Sequence, residues 1–97
     1  MNSKFATGTL AVNIYCKDAK SLKEKRQIVK SVIAKLKNNY NISIKEVDNE
    51  DKWQLSTLAI AVVDKNEFMV HNIIENIINS LHSSIKLHVI DYTKEIL

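Results

Sequence analysis

The spacing of apolar residues switches back and forth along this chain, and the order of the switches leaves very few topologies open. From Phe5 to Cys16, the residues Leu10, Val12, Ile14 and Cys16 alternate with Ala11, Asn13 and Tyr15, the period of a strand with one buried face. From Ser21 to about Tyr40, Leu22, Val29, Ile33, Leu36 and Tyr40 recur at helical spacing and form one apolar face. Ser21 is a favoured N-cap, and Glu24 three positions on completes the pattern of a capping box. Asn38, Asn39 and Asn41 then supply residues that tolerate left-handed backbone where glycine is absent. Ile42 to Asp48 reads as a second strand, with Ile42 and Ile44 on one face. Asn49 to Lys52 is a tight acidic turn, and Trp53 to Val63 a third strand in which Leu58, Ile60 and Val62 alternate with Thr57, Ala59 and Ala61. A second helix runs from about Lys65 to His82, with Asp64 and Glu67 as its capping pair. Val70, Ile73, Ile74, Ile77, Ile78 and Leu81 make its apolar face. Ile85 to about Thr93 reads as the last strand.

The resulting order is strand, helix, strand, strand, helix, strand. The short turn at Asn49 makes the second and third strands an antiparallel hairpin. With right-handed crossovers, the arrangement that satisfies this order is the ferredoxin-like βαββαβ fold of the α+β class. It has a four-stranded antiparallel sheet, both helices on one face and the other face uncovered. At 97 residues, 45% hydrophobic and 26% charged, the chain is expected to form one domain over 1–97 rather than two cores or a disordered polymer.

Several function classes drop out on composition. Gly8 is the only glycine and there is no proline, which excludes a phosphate-cradling glycine loop. A single cysteine, Cys16, excludes an internal disulfide and an all-cysteine metal site. No apolar run approaches the roughly 20 residues of a membrane span. Met1 to Lys4 lacks a basic stretch followed by an apolar one, so no secretory signal is visible. The expected setting is the reducing cytoplasm, without a membrane partner.

No catalytic constellation is visible, and neither a cofactor nor a metal is expected. His71 and His82 share a helix side but stand about 16 Å apart, too far to share one ion. His88 falls on the last strand. Cys16 has no basic neighbourhood of the kind that activates a thiolate, so it reads as an inert thiol. Glu46, Asp48, Glu50 and Asp51 lack the glycine and terminal glutamate of a calcium loop and read as a solvated hairpin turn.

Charge is more informative. The net charge is +3, yet Lys17 to Lys37 holds Lys17, Lys20, Lys23, Lys25, Arg26, Lys30, Lys35 and Lys37 against only Asp18 and Glu24. Measured from Leu22 at about 100° per residue, Lys23, Arg26, Lys30 and Lys37 fall between about 40° and 100°, a narrow stripe on one flank of the helix. Such a row suits a phosphate backbone or an acidic protein groove. It also suits long lysine stems that cover the edge of the apolar face and leave their charges in water. On the uncovered sheet face, the alternation places Trp53, Leu55, Thr57, Ala59, Ala61 and Val63 beside Ala11, Asn13 and Tyr15. That surface reads as apolar, small and nearly uncharged. It lacks the several aromatics of an RNA-recognition sheet and points to a protein interface.

The run Ser21-Leu22-Lys23-Glu24-Lys25-Arg26 resembles the SLKEKR signature of the YlxP-like bacterial proteins, the domain of unknown function 503. Glu46-Val47-Asp48, Trp53-Gln54 before an alanine-rich strand, and Glu95-Ile96-Leu97 match in the same order. The resemblance spans nearly the whole chain and implies a ferredoxin-like α/β sandwich. It also implies that Met1 to Lys4 is a short ragged extension. Members encoded beside translation initiation and ribosome-binding factors hint at a role near ribosomes or RNA, and no catalytic residues come with the resemblance. Capping accounts for Ser21 and Glu24, and the core accounts for Leu22. Neither accounts for Lys23, Lys25 and Arg26, which oppose the dipole of the helix N-terminus. Two functions are therefore carried forward. One is a protein that holds RNA or the ribosome through Lys20, Lys23, Lys25, Arg26, Lys30 and Lys37. The other is a homodimeric interaction module that uses Tyr15, Trp53, Leu55, Thr57 and Ala59 and binds no nucleic acid.

Overall fold

In the computed structural model, which describes residues 4–97, the elements follow the expected order. They are β1 (Ala6–Tyr15), α1 (Leu22–Asn39), β2 (Ile42–Asp48), β3 (Leu55–Asp64), α2 (Glu67–His82) and β4 (His88–Ile96). Met1 to Ser3 of the expected extension lie outside the described residues. The strands form one sheet in the order β2-β3-β1-β4, and every neighbouring pair is antiparallel. With one helix in each crossover, this is the ferredoxin-like fold.

Period-two burial makes the sheet one-sided. Leu10, Val12 and Ile14 of β1 and Leu58, Ile60 and Val62 of β3 are all buried, and they face Val70, Ile74, Ile77, Ile78 and Leu81 of α2. These two central strands and α2 hold most of the core. From α1 the buried apolar residues are Val29 and Leu36, while Leu22, Ile33 and Tyr40 are only half-buried. The helix is turned so that Ile28 and Val32 also lie against the core. Its buried face is thus rotated from the one centred on Leu22.

Local chemistry explains the boundaries that differ from expectation. The N-cap of α2 is Asn66, whose Oδ1 accepts the Met69 N–H at 2.9 Å, and not Asp64. Asp64 is still within β3, paired with Ala6, and its carboxylate accepts the Lys65 N–H instead. At α1, Ser21 Oγ accepts the Glu24 N–H as expected. The Glu24 carboxylate reaches past the cap to the Lys20 N–H, so the reciprocal bond forms one residue earlier than in a capping box. β4 begins at His88 rather than Ile85 because Ser83 to Lys86 complete the exit from α2. Ser83 and Ser84 N–H groups return to Asn79 and Leu81 carbonyls, and Ser84 Oγ accepts the Lys86 N–H. Pairing with β1 then draws the strand on to Ile96, which stands opposite Gly8.

Gly8 has ordinary backbone, and its role is steric. A Cβ added there would stand 2.6 Å from Val70 Cγ1, 3.0 Å from Ile74 Cδ1 and 3.3 Å from the Glu95 carbonyl oxygen. The missing side chain is what lets α2 sit down on β1. Gly8→Ala is expected to destabilise the domain by about 1–3 kcal/mol through overpacking. The check is urea unfolding, with a midpoint that falls while the slope stays constant.

Candidate anion-binding site on the first helix

Lys25 is the side chain whose position differs most from expectation. It is completely buried, whereas Lys20, Lys23, Arg26, Lys30 and Lys37 are exposed. It therefore leaves the set of phosphate ligands. Its Nζ donates to Glu46 Oε2 at 2.8 Å and lies 3.1 Å, 3.3 Å and 3.2 Å from the carbonyl oxygens of Asn49, Glu50 and Leu55. An ammonium has three N–H donors, so these acceptors share them. Ser56, itself buried, donates from Oγ to the same Glu46 oxygen at 2.6 Å. Glu46 is therefore not part of a solvated acidic turn. It is the internal counter-ion of α1, and the ammonium between helix and hairpin takes up carbonyls that the turn would otherwise leave to water.

Both partners carried a signal. At about 100° per residue, Lys25 falls between Leu36 and Val32 on the helical wheel, inside the apolar arc. Glu46 follows Ile42 and Ile44 in the strand phase that faces the helices. A cation in the apolar arc of a helix and a carboxylate in the apolar phase of a strand are each costly alone. Together they satisfy one another. Cys16 lies close enough to feel both charges. Burial pushes its thiol above the ordinary value, Lys25 opposes that and Glu46 adds to it, so the thiol stays protonated and unreactive at neutral pH.

With Lys25 removed, the exposed row on α1 becomes simpler. Lys23, Arg26, Lys30 and Lys37 lie along one flank, spanning about 21 Å from first to last at about 1.5 Å per residue. The opposite flank, with Gln27, Ile28, Ser31, Val32 and Lys35, faces a groove shared with Ser84, Ile85 and Lys86 after α2. The basic flank is therefore the one turned away from the second helix. Among the described residues the ion pairs are Lys25–Glu46 and Lys94–Glu75, so none of the row's cations has an ion-pair partner among them. The Glu24 carboxylate, the acid nearest in sequence, is occupied by the Lys20 N–H. Among the described residues no group of three or more His, Cys, Asp or Glu side chains could hold a metal ion, and His71, His82 and His88 are exposed.

The uncovered sheet face carries the second set of expected residues. Tyr15, Leu55, Thr57 and Ala59 lie on it, half-buried. Trp53 is half-exposed and precedes β3 rather than belonging to it. The expectation of a nearly uncharged face does not hold, because the edge strands add Lys45, Asp91 and Glu95. One end is polar as well. Asn49 Nδ2 donates to Thr57 Oγ1 at 2.9 Å, Thr57 donates to Asn13 Oδ1 at 2.6 Å, and Asn13 Nδ2 donates to Asp91 Oδ1 at 2.6 Å. Asn49 holds a left-handed φ of 61°, a conformation asparagine tolerates better than most residues.

The chain is similar to known proteins over most of its length. The description "Protein of unknown function (DUF503)" matches residues 7–94. An uncharacterized protein, YlxP of Bacillus subtilis (strain 168), is 32% identical over 66 residues, which are 68% of this chain and 72% of the relative. Among solved structures, the de novo designed protein Foldit4 aligns with 96% of this chain and 93% of its own at 8% identity and a TM-score of 0.49. A second designed protein, LFR1 1 with ferredoxin fold, aligns with 94% and 82% at 22% identity and a TM-score of 0.47. The fold assignment rests on the strand order itself.

The internal ion pair has a measurable signature. Lys25→Met strands the Glu46 carboxylate and is expected to cost about 3–5 kcal/mol of stability. Lys25→Met combined with Glu46→Leu should cost clearly less than the two single changes added together, because neither variant charge is then left unpaired. Chemical denaturation of the four proteins checks the cycle, and strict additivity would mean that the pair is not coupled.

Proposed function

We propose that this chain, which belongs to the family of unknown function DUF503, binds the phosphate backbone of structured RNA, free or within the ribosome. The groups that do so are Lys23, Arg26, Lys30 and Lys37, with Lys20 beside them at the start of the helix. The observation that carries the reading is a contrast between cations of one helix. Lys25 has its counter-ion inside the fold, while the exposed row has none among the described residues. Lys23 and Arg26 also oppose the dipole of the helix N-terminus without any packing gain. A local cost with no local structural return is where function is expected.

The chemistry is non-covalent. Ammonium and guanidinium groups along one flank displace counterions from successive phosphates, which supplies affinity with little sequence information. Arg26 adds a planar fork able to grip a phosphate bidentately.

Binding of the purified protein to structured ribosomal RNA, by filter retention or cosedimentation over a range of salt, tests this directly. Four phosphate contacts predict that log K falls against log salt with a slope of about −3 to −4. The Lys23/Arg26/Lys30/Lys37→Ala variant should lose both the affinity and most of the slope. Removal of Lys52 and Lys65, which lie off the row, should change neither by much. Salt-independent binding, or equal binding by the alanine variant, would refute the reading.

A further inference from the structure

The uncovered sheet face has a charge pattern that complements itself. Side chains on this face line up across the strands in rows. One row is Lys45, Ala59, Ala11 and Thr93, and the next is Ser43, Ala61, Thr9 and Glu95. The cation stands on the β2 edge and the carboxylate on the β4 edge. The two edges are three strand spacings apart, about 14 Å, so Lys45 and Glu95 cannot pair within one chain. Neither has an ion-pair partner among the described residues. Between them the central strands carry only short side chains, and Thr9, Ala11, Ala59, Ala61 and Thr93 line a shallow hollow there.

We propose that a second copy of this chain covers this face, related by a two-fold axis that runs along the strands between β1 and β3. Such an axis keeps the level along the strand and exchanges the edges, so β2 of each copy lies over β4 of the other. Lys45 of one copy then stands over Thr93 of its mate, flanked by Asp91 and Glu95. The crossing of about 30° usual for aligned sheets moves it off Thr93 toward one of these carboxylates. Asp91 already accepts from Asn13. Glu95 has no ion-pair partner among the described residues, so the pair is Lys45 with Glu95, and the symmetry makes it twice. Short side chains at the centre let the sheets approach to about 10 Å. Val63, 48% exposed at one end of β3, is covered in the process. The row at the other end sets the limit of the contact. It has Asp48 on one edge and Asp91 on the other, so the interface is centred on the alanine rows.

This surface lies on the side of the sheet away from α1, so the dimer leaves both basic rows exposed, and failure of either proposal leaves the other standing. The test is a charge swap followed by sedimentation velocity at high micromolar protein. The wild-type chain should sediment as a dimer. Lys45→Glu alone and Glu95→Lys alone each set like charges opposite one another twice, and each should weaken association on the order of tenfold or more. Mixing the two variants in equal amounts makes both contacts Glu against Lys again and should restore the dimer. Both residues are exposed and without an ion-pair partner among the described residues. Thermal unfolding of each variant should therefore match wild type at protein concentrations low enough to keep every form monomeric, where association adds no stability. This separates lost association from lost folding. A monomeric wild type, a variant that stays dimeric, or a mixture that stays monomeric would overturn the proposal.

Discussion

The ammonium of Lys25 sits where α1, β2 and the β2–β3 turn meet, and much else in the structure depends on it. α1 packs mainly over β2, an edge strand. Its buried apolar contribution is small, Val29 and Leu36 against the five buried residues of α2. Buried area alone would hold it loosely. The charge pair with Glu46 and the carbonyls of Asn49, Glu50 and Leu55 add a directional anchor at the helix N-terminal end. A buried pair is weak as a source of net stability, but removing half of it is severe. Its effect is to specify one orientation of α1 on the sheet, and that orientation decides which flank of the helix meets water.

The basic row follows from that orientation. With Lys25 turned in, Lys23 and Arg26 are turned to the outer flank, in line with Lys30 and Lys37. The signature run therefore divides by physical role. Ser21 caps, Leu22 packs in part, Glu24 ties back to the Lys20 N–H, and Lys25 anchors. Lys23 and Arg26 remain, exposed and without an ion-pair partner among the described residues. The sheet separates this flank from the uncovered face, so the molecule offers two independent surfaces, one basic and one with opposite charges at its two edges.

The strands and helices were legible because the period of two in β1 and β3 and the period of 3.6 in α2 run long enough to be recognised, even though the register shifts in the β1–β4 and β2–β3 pairings. Where expectation and structure part, short-range polar chemistry competed with the pattern. Asp64 and Asn66 are both good caps two residues apart, and β3 pairing with Ala6 claimed Asp64. The start of β4 could not be read from Ile85, because that residue extends the exit from α2 and stands 82% exposed. Charge was the hardest feature to read. Lys25 looks like any other lysine of a basic run unless its angle is compared with the whole apolar arc rather than with Leu22. Glu46 looks like one more acid near a turn unless its strand phase is followed from Ile44. Neither residue identifies its partner alone, because the contact joins elements 21 positions apart.

The central claim is that one basic run serves two purposes, an internal anchor at Lys25 and an external anion surface at Lys23, Arg26, Lys30 and Lys37. Amide chemical shifts of the isotopically labelled protein, followed by nuclear magnetic resonance during titration with structured RNA, address it residue by residue. The account predicts shifts along the exposed flank of α1 and at Lys20 that vanish at high salt, while Lys25, Glu46 and the uncovered sheet face stay unmoved. Shifts centred on Asn13, Tyr15 and Thr57, or no shifts at low salt, would contradict it.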